Sequence, residues 1–552
     1  MNVRKGYAKK TLLLAAASTL VLTLAACSGS NNNNNAEPSG SAASPSAGAS
    51  PAASGSIPSD KEFEIAVMSW QDPKSKYGMA YDYAFQEYMK LHPNVKIKNI
   101  FQPNNGYDTL LDTQYVAHKA PDAAQMFAPW INKYADQDYL LRLDSAMHEE
   151  SPYNTGKPWV DTFIKGESSF SGMKSRNKYG AITFVPVDGG IGQSPIFPFY
   201  YNKSMLDKAG VAALPTTWAE FIEALKKVKE AGFIPVAVDN NRFLNWTFSW
   251  VGSQLGENYL DQFFDAKYAG KQLYEEKALA ALLTGKIGPQ DPAINSVIDI
   301  MKDFSQYWQE GWAGATEQES QQMFVYNKAA FILDGNWMLG YYNDNVKDFE
   351  VGVMPFPLVT KETSPFAEEA MPAPGDQVDY GWGLNKDLEK DPDKMKVVVD
   401  LFRFITSKDV QAKMAEMAVW APVTADVAAP EPMVPFLATD KNTLKNPLDN
   451  PLYNYAGDAV AISQVWLTGK ADKAEYLSKM SADNLKLATQ RIKDALDDKI
   501  GLPNQIAELE KQSADQKAAG SPEVVVKATE DSLALAKLKL EFYKQYAEPA
   551  LK

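Results

Sequence analysis

The 552-residue chain carries a formal net charge of −14, is 45% hydrophobic and 11% aromatic, and holds one cysteine and three histidines. That length leaves room for more than one domain core. The acidic balance, with no Lys/Arg cluster to neutralise phosphates, excludes nucleic acid as a partner, and a lone thiol excludes an internal disulfide framework.

At the amino end, Arg4, Lys5, Lys9 and Lys10 precede an apolar run over residues 11–26. A basic start, a short apolar core and small residues at its close are the parts of a signal peptide, here residues 1–26. The run is shorter than the roughly 20 residues that a membrane-spanning helix needs. Its last residues with the next, Leu24-Ala25-Ala26-Cys27, resemble the lipobox of bacterial lipoproteins. The resemblance implies acylation of the Cys27 thiol, so that lipid holds the chain to the outer face of a cell membrane. This suits a bacterium without an outer membrane. Residues 27–59 are built from Ser, Gly, Ala, Pro and a run of asparagines at 31–35. So little apolar surface cannot offset the entropy of ordering, and a disordered tether is expected.

Within the body, residues 63–68 alternate well enough for a strand. Tyr81, Phe85, Tyr88 and Met89 then recur at helical spacing until His92-Pro93-Asn94 interrupts. Val95, Ile97 and Ile100 predict a second strand, Leu110, Leu111 and Tyr115 a short helix, and residues 123–127 a third strand. Strand, helix, strand, helix, strand is the signature of a parallel sheet. A second run of this kind begins at Phe199-Tyr200-Tyr201. Thr217-Trp218-Ala219-Glu220 has the pattern of a capping box, in which Thr217 accepts from amide groups while Glu220 reaches back. Trp218, Phe221, Ile222, Leu225 and Val228 form one apolar face, Gly232 closes the helix, and residues 234–238 follow as a strand. Two such runs predict two α/β lobes with a binding cleft between them. Residues 499–552 form a further helical extension, interrupted at Gly520-Ser521-Pro522. Ala534, Leu535, Leu538, Phe542 and Tyr546 share one face of it, which predicts foremost a hairpin packed on the second lobe, with a docking element for a partner as the alternative.

Four stretches carry a more specific likeness: FYYNKSMLDKAG at 199–210 with LPTTWAEF at 214–221, NKAAFILDGNW at 327–337, FEVGVMPFP at 349–357 and FITSKDVQ at 404–411. In this order they resemble the extracellular solute-binding proteins of ABC importers, in the group that contains the maltose-binding protein. The resemblance covers residues 60–498. It implies a periplasmic-binding-protein-like α/β fold of two discontinuous lobes, one from 60–198 and 354–406, the other from 199–353 and 407–498. A hinge of several chain crossings would join them and close around a solute. It further implies a monomer whose closed form docks on the transmembrane subunits of an ABC permease, with no cofactor.

A sugar ring has apolar C–H faces and a polar rim, so its site needs aromatic platforms edged by Asp, Asn or Gln. In α/β sheets such sites lie at the carboxyl ends of strands. Trp70, Gln71 and Asp72 directly follow the first strand, and the resemblance puts Asp72 near a polar contact of the group. Phe127 and Trp130 follow the third strand. By resemblance Phe127 is a stacking aromatic, whereas Trp130 and Ile131 replace a polar residue and an arginine, a departure from the maltodextrin pattern. Asn245 and Trp246 match a contact-bearing segment, with Trp250 one turn on as the expected core member. Trp337, after the Asp334-Gly335 turn, matches a sugar-stacking tryptophan. Tyr380 and Trp382 flank Gly381 and suit either a cleft wall or a half-buried strand. Counting back from residues 469–477 puts Tyr453 and Tyr455 near a further stacking aromatic. Trp218 is assigned to the core, and Trp420 fits cleft or core.

The residues give little support to catalysis. His92, His118 and His148 stand apart from one another, with no pair at metal-ligand spacing. Gly189-Gly190-Ile191-Gly192 leads into Gln193, Ser194 and Pro195, which is no phosphate-binding loop, and no nucleophile elbow occurs. Glu149-Glu150 and Glu368-Glu369 are adjacent, as in a solvated charged patch rather than a separated glycosidase pair. The expectation is a membrane-anchored protein, not an enzyme, that captures a solute, foremost an oligosaccharide, for an ABC importer. A receptor of the same fold for peptide or another solute, or a ligand sensor feeding a signalling kinase, stays open beside it.

Overall fold

Two four-stranded sheets organise the body. A computed structural model describes residues 57–552 apart from 105, 155, 171–176, 178–179, 189–197, 256–258, 272, 373–379, 437–442, 445–458, 519 and 521–522. The chain first runs through β1 (Phe63–Ser69), α1 (Lys76–Leu91), β2 (Val95–Phe101), α2 (Tyr107–Val116), β3 (Ala123–Phe127) and α3 (Ala128–Asp136). It then forms β4 (Phe199–Asn202), α4 (Trp218–Glu230), β5 (Ile234–Ala237), α5 (Arg242–Ser253), β6 (Ala329–Leu333), α6 (Leu339–Asn345) and β7 (Val351–Met354). Next come β8 (Tyr380–Leu384), α7 (Pro392–Ile405) and α8 (Lys408–Ala418).

The first sheet has the order β2-β1-β3-β8, with β1 parallel to both neighbours and β8 antiparallel to β3. The second has the order β5-β6-β4-β7, with β5 and β6 parallel and β4 antiparallel to β6 and β7. Strand β6, AAFIL, is buried at every position, as an inner strand without polar alternation should be. Helix α4 forms where the sequence places it. Glu220 N–H donates to Thr217 Oγ1 at 3.3 Å and Thr217 N–H to Glu220 Oε2 at 3.0 Å, which closes the capping box. Hydrogen bonds from the Thr216 and Thr217 amides hold the Glu220 carboxyl down at about 2. Trp218, Phe221, Leu225 and Val228 are buried, and Ile222 lies half-buried at the edge of that face.

Two of the three predicted lobe crossings shift. Phe356 stacks on Trp218 at 5.6 Å and on Trp250 at 5.4 Å, and Val359 and Ala367 join the same core. The stretch after β7 therefore stays with the second lobe instead of returning to the first at residue 354. Helix α8 moves the other way: Val410, Met414, Ala415 and Ala418 are buried in the first lobe's core, and Gln411 donates to the Val187 carbonyl at 2.9 Å. The cause is the apolar face of α8, which α1 covers.

Beyond these lie α9 (Lys473–Leu496), α10 (Leu502–Ala518) and α11 (Glu523–Tyr546). The last two pair as a hairpin whose Leu509, Ala536, Phe542 and Tyr543 are buried in the second lobe's core. Ala534, expected on the buried face, is exposed, and Ala536 takes that role. Lys539 pairs with Glu276 at 2.8 Å and Lys267 with Glu541 at 2.7 Å, tying the hairpin to the same lobe. Among the described residues no helix is long and apolar enough to cross a membrane.

Candidate functional site

The first lobe gathers four aromatic rings at the carboxyl ends of its parallel strands. Trp70 follows β1, Phe127 ends β3, Trp130 sits in the first turn of α3, and Tyr107 opens α2. Trp70 and Phe127 lie face to face, with centroids 4.5 Å apart and planes 12° from parallel. Trp130 meets both edge-on, at 6.2 Å and 5.1 Å, and stacks on Tyr107 at 5.7 Å. Tyr107 is fully buried and donates its hydroxyl to the Met68 carbonyl at 2.8 Å, so it forms the floor. Trp70, Phe127 and Trp130 are half-buried, the state of a platform that can still meet a ligand. Ile131, next to them, is buried in the core.

Around this platform, Gln71 donates to Gln125 at 3.4 Å. Asp72 is exposed and turns back on its own chain, where Oδ1 accepts from the Lys74 amide at 2.8 Å. Its carbonyl accepts from Ser75, the N-cap of α1, so Asp72 shapes the turn that presents Trp70.

A second pair of rings belongs to the other lobe. Trp337 follows β6 and meets Trp246 of α5 at 5.9 Å and 89°. Both are half-buried. A Cβ on Gly335 would lie 2.2 Å from the Trp337 ring, so only glycine lets the indole fold over that backbone. Beneath the turn, Asp334 is fully buried. It accepts from the Gly335 amide at 2.7 Å, the Tyr342 hydroxyl at 2.7 Å and the Gln321 amide at 3.0 Å. The expected ligand carboxylate is thus a positioning group inside the lobe: its oxygens serve the turn that carries Trp337. Trp250 is core, as its spacing predicts.

Trp382 also departs from expectation. It is buried, and its indole N–H donates to the Tyr81 hydroxyl at 3.1 Å while its ring packs on Phe402. Strand alternation turns it inward, so it belongs to the first core rather than a cleft wall. Tyr380 begins β8 opposite Phe127, and Asn245 lies on α5 beside Trp246. Cys27, Tyr453 and Tyr455 lie outside the described residues.

Where the lobes meet, the structure brings in residues the sequence reading passed over. Lys76, in the first turn of α1, pairs with Asp344 of α6 at 2.9 Å. Tyr77 packs edge-on against Trp420 at 5.0 Å. Burial pushes the Tyr77 and Tyr81 hydroxyls well up, and the Asp188 carboxylate adds to it. Burial does the same to Tyr200 of β4, with Asp334 and then Tyr77 contributing. Tyr77 thus lies near Asp188 on one side and Tyr200 on the other. Its place on the first turn of α1, just after the Trp70 loop, was the available signal. Among the described residues no cluster of His, Cys, Asp and Glu could hold a metal ion.

The chain has known relatives. Among curated proteins, an uncharacterized ABC transporter extracellular-binding protein of Pyrococcus horikoshii is 24% identical over 286 residues, 50% of this chain and 57% of that protein. A probable sugar-binding periplasmic protein of Rhizobium meliloti is 28% identical over 236 residues, 42% of this chain and 49% of that protein. The sn-glycerol-3-phosphate-binding periplasmic protein UgpB of the same organism is 24% identical over 240 residues, 42% of this chain and 47% of that protein. The chain thus spans about half the length of the curated relatives it matches. Among solved structures, a chitin oligosaccharide binding protein matches with a TM-score of 0.55 at 17% identity, over 77% of this chain and 99% of that one. The solute-binding protein RafE in complex with raffinose matches with a TM-score of 0.57 at 15% identity, again over 77% and 99%. These likenesses establish the two-lobed fold. The model of the bacterial extracellular solute-binding protein family matches residues 72–412, more than half of the sequence, and the chain belongs to that family.

Proposed function

We propose that the protein captures an oligosaccharide between its lobes and delivers it to the transmembrane subunits of an ABC importer. The observation that carries this reading is the pair of half-buried aromatic platforms, Trp70/Phe127/Trp130 on one lobe and Trp246/Trp337 on the other. Flat apolar faces suit the C–H faces of sugar rings and give little to a strongly charged solute. Hinge closure would bring both platforms onto one ligand, so that contacts made only in the closed form draw the population towards it. The names of the probable sugar-binding relative and of the two solved oligosaccharide binders lend support. Gln71 and Asn245 are the polar partners assigned to sugar hydroxyls, with Tyr380 and Tyr455 as further aromatic contacts.

In this reading Cys27 carries lipid, residues 27–59 tether a monomeric body to the outer face of the membrane, and no reaction is catalysed. Intrinsic tryptophan fluorescence, titrated in parallel with oligosaccharides, peptides, sn-glycerol-3-phosphate and polyamines, tests it. A saturable change with oligosaccharides alone is the expected result. A winner from another class, or turnover of the saccharide, overturns the proposal.

A further inference from the structure

The carboxyl-terminal hairpin lies beyond the family-matched segment and takes no part in either aromatic platform, yet it touches both lobes. Its root is in the second lobe, through Leu509, Phe542 and Tyr543 and through Lys539–Glu276. Its far contact is a turn of the first lobe, closed by the Gly180 amide donating to the Asn177 carbonyl at 3.1 Å. Gln505 of α10 donates to the Asn177 carbonyl at 3.3 Å. Gly180 sits so close that a Cβ there would lie 2.8 Å from Leu509 Cδ2 and 3.1 Å from Ser532 Cβ. The turn itself is shaped for this approach. Gly180 adopts φ +58°, and buried Asn177 clamps Ala181 from both sides, accepting from its amide at 3.2 Å and donating to its carbonyl at 3.0 Å.

The turn moves with the first lobe. Ile182, directly after it, donates its amide to Asp144 at 3.1 Å, accepts from the Leu143 amide at 2.7 Å, and is buried in the first core. Helices α10 and α11 pack against each other, and the salt bridges Lys537–Glu510 and Lys517–Glu530, both at 2.7 Å, also link them.

We propose that this hairpin is an interlobe brace: its contact with Asn177 and Gly180 sets the hinge equilibrium and thereby the ligand affinity of the cleft. The proposal rests on the hinge-closure reading above. A lobe rotation that separates the turn from α10 and α11 must break the Gln505 hydrogen bond and expose Leu509. A ligand can shift the two states only by its differential affinity, so any bias from the brace adds to or subtracts from the observed binding free energy.

The first test needs no ligand. In a Cys27→Ser background, spin labels are placed at Val116→Cys and Tyr326→Cys, exposed at 71% and 64% on the first and second lobes. Double electron–electron resonance then compares Ser532 with Ser532→Arg, which wedges the hairpin off the turn. A displaced or broadened interlobe distance distribution is expected. Superimposable distributions from a folded variant overturn the brace. The second test crosslinks the contact with Gly180→Cys and Ser532→Cys, whose Cβ atoms start 3.1 Å apart, about 0.4 Å inside the disulfide range, so the hairpin must give slightly as the bond forms. The oxidised protein should lose the saccharide-driven contraction in solution scattering and regain it on reduction. An equal contraction in both redox states overturns the proposal. If no saccharide contracts the reduced protein, the transport reading fails, and the ligand-free distances still decide the brace.

Discussion

In the first lobe, Trp70, Phe127 and Trp130 are held by one another and by the Tyr107 floor, whereas in the second lobe Trp337 rests on a turn held by one buried carboxylate. The first arrangement is redundant, because each ring has at least two ring neighbours and the loss of one leaves the others packed. The second is not. Asp334 satisfies three donors at once, and a buried donor without an acceptor costs more than a typical hydrogen bond contributes. Two platforms for one kind of surface are thus built with opposite tolerance to change.

The strongest way to break that comparison is Asp334→Ala. It should lower the unfolding free energy by about 3 kcal/mol or more, since the Gln321, Tyr342 and Gly335 donors lose their acceptor. Urea denaturation measures it, and a loss under about 1 kcal/mol would make the turn self-supporting. Next in size is the contrast between Trp337→Ala and Phe127→Ala in saccharide binding by calorimetry. The first should cost about 2–3 kcal/mol of affinity, the worth of a large apolar face, and the second about 1 kcal/mol because Trp70 and Trp130 remain. The reverse order would show that the first lobe carries the dominant platform.

The smallest effect concerns pH. His148 lies 3.2 Å from Glu167 and donates to the Asp144 carbonyl at 2.7 Å, and the Glu167 contact foremost holds its pKa above the ordinary value. A histidine raised on folding contributes fully below its unfolded pKa of about 6.5, and that contribution is lost as pH rises through the higher folded value. The melting temperature should therefore fall by on the order of 1 °C as pH rises above about 6.5, more than in His148→Gln. Equal pH profiles in scanning calorimetry would remove the pair from the stability of the first lobe.

Much of the fold was legible because its signals are local. The Thr217/Glu220 box, the buried run of β6 and the helical face of α4 each depend on residues within a few positions of one another. The aromatic residues after β1, β3 and β6 were legible as site candidates for the same reason: strand ends are where α/β sheets expose loops. Tyr107, Tyr77 and Asp188 were not, because each reaches the site from a helix start or loop whose neighbours are distant in sequence.

The sequence by itself determined which segments become strands and helices and that two α/β runs stand side by side, since spacing and capping act over one or two turns. Only the tertiary structure decided that Asp334 and Trp382 point inward, that α8 packs on the first lobe, and that the last hairpin spans both lobes. The physical reason is that burial is a property of pairs: Trp382 and α8 become core because Tyr81 and α1, far away in the chain, cover them, and Asp334 because Gln321 and Tyr342 close over it.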